Sequence, residues 1–159
     1  LPSYNILYST AKTLALLKRN KEAIENYNRY LSDGGDRIKS KKRDLVEKEI
    51  DRLTKAEERR EKEEESKARL AAGLKLKSKG KHELAAEEFK AAYELNPEYE
   101  ILRHMAETDV KLKNNESALQ NYSLYLSKGG NRISQNERAK IRKEMDRLYT
   151  LVQKNKSKD

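Results

Sequence analysis

Three observations predict an all-α fold, an α-solenoid of antiparallel helix pairs. Residues 20–38, NKEAIENYNRYLSDGGDRI, match residues 115–133, NESALQNYSLYLSKGGNRI, at eleven of nineteen positions with a constant offset of 95. Apolar and aromatic residues recur at helical spacing, and only two Pro and six Gly interrupt the chain. The composition, 40% charged and 35% apolar with one Phe and no Trp, supports only a thin core. Self-similarity at a long period marks units that bury their apolar face only against a neighbour. Function is therefore expected on the surface of the stack rather than in a reactive pocket.

The opening 32 residues are expected to form the first helix pair. Leu7, Ala11 and Leu14 share a face of its first helix, and Ala23, Tyr27 and Tyr30 share a face of its second. Gly34-Gly35 then ends the second helix by supplying a residue at positive φ and a flexible step beyond it, and Gly129-Gly130 repeats the device. A charged helix follows each glycine pair. Ser40 is the expected cap of the earlier one, and Ser134 with Glu137 forms a capping box for the later. Glu49, Asp51, Arg52 and Leu53 correspond to Glu144, Asp146, Arg147 and Leu148.

No Gly or Pro falls between Asp36 and Gly73, so the helix starting near Ser40 has two readings. It continues to Lys79 as one rod of roughly 60 Å at about 1.5 Å per residue, or it frays into a linker around residues 57–67. Glu58-Lys62, Arg59-Glu63, Arg60-Glu64 and Glu63-Lys67 favour the rod, since opposite charges four apart contribute about 0.2–0.5 kcal/mol each. Fraying is the competitor because pairs of that strength barely hold an isolated stretch.

Residues 66–98 carry the most specific local pattern: Ala72-Gly73, Leu76, Gly80, Ala85, Phe89, Ala92 and Pro97. These spacings resemble the tetratricopeptide repeat family. The resemblance implies two antiparallel helices that approach closely at Gly73 and Ala85, with Phe89 filling the gap toward the next pair. Pro97 is expected in the first turn of the following helix, where a missing N–H costs nothing. Arg69 departs from the family where an aromatic is common, and Leu76 where Tyr is common. A weaker third pair is expected from Tyr99 to about residue 127, with Leu102, Ala106, Ala118, Tyr122 and Tyr125 at matching places. Asn114-Asn115 replaces its usual turn residues, and Asn tolerates the left-handed conformation. Through the internal match the resemblance extends over most of the chain and looks like tandem arrays of bacterial tetratricopeptide proteins. The division read from it is residues 1–65, one pair with a charged extension helix, and residues 66–159, two pairs with a terminal helix.

The resemblance implies a noncatalytic scaffold that binds a peptide or partner protein in a groove lined by the first helix of each pair. The residues implied to face inward are Asn5, Tyr8 and Lys12, then Lys67, Leu70 and Leu74, then Glu100, Arg103 and Glu107. Some relatives hold a terminal carboxylate with an Asn in this groove. Leu74 and Glu107 stand where such an Asn belongs, so no carboxylate clamp is expected.

Reactive chemistry is not expected. The chain has no Cys, which removes disulfides and thiolate sites. His82 and His104 lie 22 residues apart without metal-ligand spacing, and Gly-Gly lacks the Lys-Ser/Thr of a phosphate loop. Glutamates fall in helical charge runs, with no evident acid and base pair. No enzyme activity, cofactor or metal follows.

The formal charge of +9 clusters at Arg37, Lys39, Lys41, Lys42 and Arg43, and again at Lys140, Arg142, Lys143, Arg147, Lys154, Lys156 and Lys158. Solvated helix faces explain both clusters, and binding to RNA or another anionic polymer is the alternative, recognisable by steep salt dependence. Self-association into a homodimer is a third reading, because the chain opens inside a repeat unit and without Met, as a piece of something longer would. No run of eighteen apolar residues marks a membrane segment. The compartment stays open between bacterial cytoplasm and the periplasm or cell envelope.

Overall fold

The computed structural model describes residues 4–157. Among them the fold is all-helical, without strands: α1 Tyr4–Leu16, α2 Asn20–Gly34, a 3₁₀ turn Gly35–Arg37, α3 Ser40–Ser78, α4 His82–Leu95, α5 Tyr99–Lys111, α6 Asn115–Gly129, a second 3₁₀ turn Gly130–Arg132, and α7 Gln135–Lys156. The expected rod is present, since α3 is one helix of 39 residues, and the linker reading is set aside. The chain divides into two compact units, Leu1–Glu61 and Lys62–Asp159, so α3 gives its first part to one unit and its last part to the other. No residue between Glu57 and Ser66 is buried, and there the helix stands on local bonding and ion pairs such as Arg60–Glu57 at 2.7 Å and Arg69–Glu65 at 3.5 Å.

In the first unit α1 packs on α2, and the start of α3 covers both through Val46 and Leu53. Leu7, Ala11, Leu14, Ala23, Tyr27 and Tyr30 are all buried there, as their spacing predicts. The second unit repeats this assembly with α5, α6 and α7, whose core holds Leu102, Ala106, Ala118, Tyr122, Tyr125, Ile141 and Leu148. A second cluster in the same unit joins α4 to the end of α3 and to α5 through Ala85, Phe89, Ala92 and Ile101. Gly73 is needed for that approach, because a Cβ on it would lie 2.6 Å from Phe89 Cε1. Phe89 continues onto α5 and stacks on His104, with ring centroids 5.6 Å apart.

Three identical turns close the helix pairs. After α1, α3 and α5 the residue in the left-handed region is Lys18 (φ 58°), Gly80 (φ 72°) and Lys113 (φ 61°). In each turn the next N–H reaches back five residues: Arg19 donates to the Leu14 carbonyl, Lys81 to Leu76 and Asn114 to Asp109, the bonding of a Schellman motif. The expectation for Asn114-Asn115 is thus corrected by one residue. Lys113 takes the left-handed position, and Asn114, at φ −80°, precedes α6.

The glycine pairs divide their work differently from the expected end-and-flexible-step. Gly35 (φ 50°) and Gly130 (φ 48°) are the second members, and they carry the positive φ into an ordered 3₁₀ turn. Gly34 and Gly129 are helical and buried, and a Cβ on either would fall into the side chain of Ile38 or Ile133. Two further expectations move. Ser40 is the first residue of α3 and not its cap, because the offset of 95 places Lys39 opposite Ser134, and the Lys39 carbonyl accepts from the N–H groups of Lys42 and Arg43. Pro97 lies ahead of the helix, with Glu98 in extended conformation as the cap of α5.

Candidate partner-binding face

Each unit holds its short helices together through an arginine and tyrosine device that follows the glycine pair. Arg37 donates to the Asp33 and Gly34 carbonyls while its guanidinium lies 4.7 Å above the Tyr4 ring. Arg132 does the same with Lys128, Gly129 and Tyr99, at 4.2 Å. Arg43 and Arg138 donate to the Gly35 and Gly130 carbonyls. These cations end α2 and α6 by satisfying their last acceptors. In the first basic cluster Arg37, Lys42 and Arg43 are thus engaged within the fold, Lys42 lying 3.5 Å over the Tyr8 ring, while Lys39 and Lys41 are exposed. In the second cluster Arg147 pairs with Glu144 at 2.6 Å and Lys156 with Glu116 at 2.9 Å, while Lys140, Arg142, Lys143 and Lys154 are exposed. Lys158 lies outside the described residues.

Of the residues implied to face a groove, the structure brings one group together in the second unit. Leu70 is half-buried against the Phe89 cluster, and Leu74, one turn on, is 41% exposed. Lys77, a further turn along α3, donates to Glu107 of α5. Arg103 lies 3.9 Å from Glu107 and donates to Glu137 of α7 at 3.2 Å, and the Tyr125 hydroxyl donates to the same Glu137 oxygen at 2.9 Å. Lys67 and Glu100 are exposed on the same two first helices. The outcome is a strip with an apolar step at Leu70 and Leu74 beside a braced row of charges.

In the first unit the three residues do not form an open patch. Tyr8 packs tilted against Tyr27 and Tyr30 and is covered by Lys42. Asn5 and Lys12 are exposed.

The electrostatics of the row follow from its partners. Burial works against the charge of Glu107, but the neighbouring His104, Lys77 and Arg103 outweigh it and hold the carboxyl down at about 2. The His104 Nδ1 stands 3.7 Å from the Glu107 carboxylate. Tyr125 is pushed up to about 12 by burial and by the Glu137 acceptor, and Tyr122 to about 12 by burial and the charge of Glu107. Glu107, Tyr122 and Tyr125 each keep one ionisation state across the physiological range. Among the described residues no cluster of His, Asp or Glu could hold a metal ion, and no helix is long and apolar enough to cross a membrane.

What sequence reasoning missed are exchanges between the two copies that preserve a contact. Lys21 pairs with Glu61 at 2.7 Å, and the matching residues Glu116 and Lys156 pair at 2.9 Å with the charges reversed. Tyr8 under Lys42 is matched by Arg103 bonded to Glu137, a cation–π contact replaced by an ion pair. Glu57 is buried, with Arg60 at 2.7 Å and Asn20 donating at 3.3 Å, where the second copy has the buried Val152. Reading the offset of 95 past the identical residues to complementary ones was the available signal.

Against known protein families and curated proteins, the sequence matches no family model and no relative.

Proposed function

We propose that this chain is a noncatalytic protein-interaction scaffold of tetratricopeptide style, in which stacked helix pairs present a groove to a peptide or partner helix. The observation that carries the proposal is the strip on α3 and α5, where the exposed Leu74 lies beside the charges of Lys77, Glu107 and Arg103, which are already braced by one another. Such a surface gives an apolar anchor inside fixed polar contacts, the arrangement that peptide grooves use for affinity and register. Three pairs closed by the same turn, together with the Gly73–Phe89 approach, support the solenoid style.

The test is binding of a displayed helical-peptide library to the whole chain and to Leu74→Glu and Lys67→Glu variants. Tyr8, Arg103 and Glu107 are less suitable targets, because each is tied into its own unit. Peptides selected on the wild type should lose binding to Leu74→Glu and keep most of it in high salt. Selected peptides that bind Leu74→Glu undiminished would defeat the groove reading.

The exposed Lys140, Arg142 and Lys143 on α7 favour a second reading, attraction of an anionic polymer. Binding of RNA that falls steeply with salt and vanishes when these three are changed to Glu would support it. RNA binding that persists in that variant would remove it.

A further inference from the structure

The two copies of the three-helix unit differ in what covers their first helix. In the second unit Ile101 of α5, 2% exposed, is buried in the cluster of Ala85, Phe89 and Ala92, and Thr108 of the same helix is 0% exposed. The same residue types stand at the matching places of α1, Ile6 and Thr13, and both are exposed, Ile6 at 55%. Even the local bond is kept, with the Thr13 hydroxyl donating to the Ser9 carbonyl as Thr108 donates to His104. Thr10 and, in the turn just after α1, Leu17 at 62% exposed lie at the same spacing. The feature that singles out this face of isoleucine, threonine and leucine is the contrast with its covered twin, since single exposed apolar residues are ordinary on a protein surface.

We infer that this face of α1 docks a partner's helical hairpin, amphipathic and carrying a small–aromatic–small face like that of α4. The substitutions between the copies specify the occupant further. His104 and Met105, which receive Phe89 from above, are replaced by the smaller Ser9 and Thr10, so the face has room for an aromatic side chain larger than Phe. Glu107, which receives Lys77, is replaced by the exposed Lys12, so the occupant presents a carboxylate where α3 presents an ammonium. This docking face is separate from the Leu74 strip, and either can stand without the other.

The experiment places a second copy of residues 62–98 directly before Tyr4 of the chain, with Lys77→Glu in the added copy, so that Glu98 precedes Tyr4 as it naturally precedes Tyr99. Hydroxyl-radical labelling of Ile6 and Leu17 is expected to fall severalfold, and the first unit to melt at higher temperature. Both effects should vanish when Ile6 is changed to Glu and weaken when the added copy retains Lys77. Unchanged labelling of Ile6 in a folded chain would overturn the inference. So would a homodimer of the natural chain that Ile6→Glu abolishes while the added hairpin leaves Ile6 labelled, which would give the face to a second copy.

Discussion

The clearest division of labour at the scale of single residues is inside the glycine pairs. Gly129 sits under Ile133 in helical conformation, whereas Gly130 faces open space at φ 48°. Gly129→Ala therefore requires the core to shift and should cost about 1–3 kcal/mol, the range for an overpacked interior. Gly130→Ala meets no atom, but φ 48° with ψ −137° is a conformation essentially restricted to glycine, so it should cost about 1–3 kcal/mol in backbone strain. Chemical denaturation separates them, because only the first should be partly relieved by Ile133→Ala, which removes both the Cδ1 and the Cγ1 that the new Cβ meets and leaves Tyr99 Cδ2. The left-handed lysines make the opposite case. Lys113→Gly removes a Cβ from φ 61° without touching the Asn114–Asp109 bond, and should raise stability by several tenths to about 1 kcal/mol in a melting experiment.

Glu107 gives the residue-scale pH dependence. Its carboxyl lies at about 2 in the fold against an ordinary 4.5, so the folded state binds its proton less readily than the unfolded chain does. The stabilisation is complete above about 4.5 and is lost as the pH falls from there through about 2. Denaturation midpoints measured down this window should decline, and Glu107→Gln should flatten the decline while lowering stability at neutral pH, where Lys77 loses its counter-charge. An unchanged slope in the variant would show that other carboxylates carry the effect.

At the scale of elements, the capping box anticipated at the start of α7 is half made. The Ser134 hydroxyl accepts from the Glu137 N–H at 3.2 Å, but the Glu137 carboxylate takes bonds from Tyr125 and Arg103. One residue thus caps its helix through its backbone and joins α5 and α6 through its side chain. Ser134→Ala should cost about 1 kcal/mol, the usual loss of an N-cap. Glu137→Gln should leave the cap intact and loosen α7 from its neighbours, seen as faster amide exchange in α7 than the serine variant gives. The periodicity of residues 4–30 and 99–125 was enough to place α1, α2, α5 and α6, because each buries one continuous stripe. Ser40 and Pro97 were misplaced by a residue or two because helix ends depend on which backbone groups a neighbouring segment satisfies.

At the scale of the whole molecule, the paired exchanges between copies offer a direct test that the two units share one design. Lys21–Glu61 and Glu116–Lys156 are the same contact with opposite polarity. Reversing the second pair, Glu116→Lys with Lys156→Glu, should restore the midpoint that either single change lowers, as read by a double-mutant cycle. The first pair is less suitable because Lys21 also lies 4.0 Å from the buried Glu57. If the double variant is no better than the singles, the contact is incidental.

The sequence by itself determined the all-helical class, the duplicated three-helix unit and the buried faces. Each of these depends on patterns within a turn or two of helix, or on residues repeated outright. It left α3 open between a rod and a linker, and the structure made it one helix. Only the tertiary structure decided which charges are free. Arg37, Lys42, Arg43, Arg103 and Glu107 look solvated in a sequence, yet all are held by groups brought from other turns of the chain. It likewise decided that Ile6 is bare while Ile101 is covered. Burial is a property of what packs on a side chain, and a residue's own identity cannot carry that information.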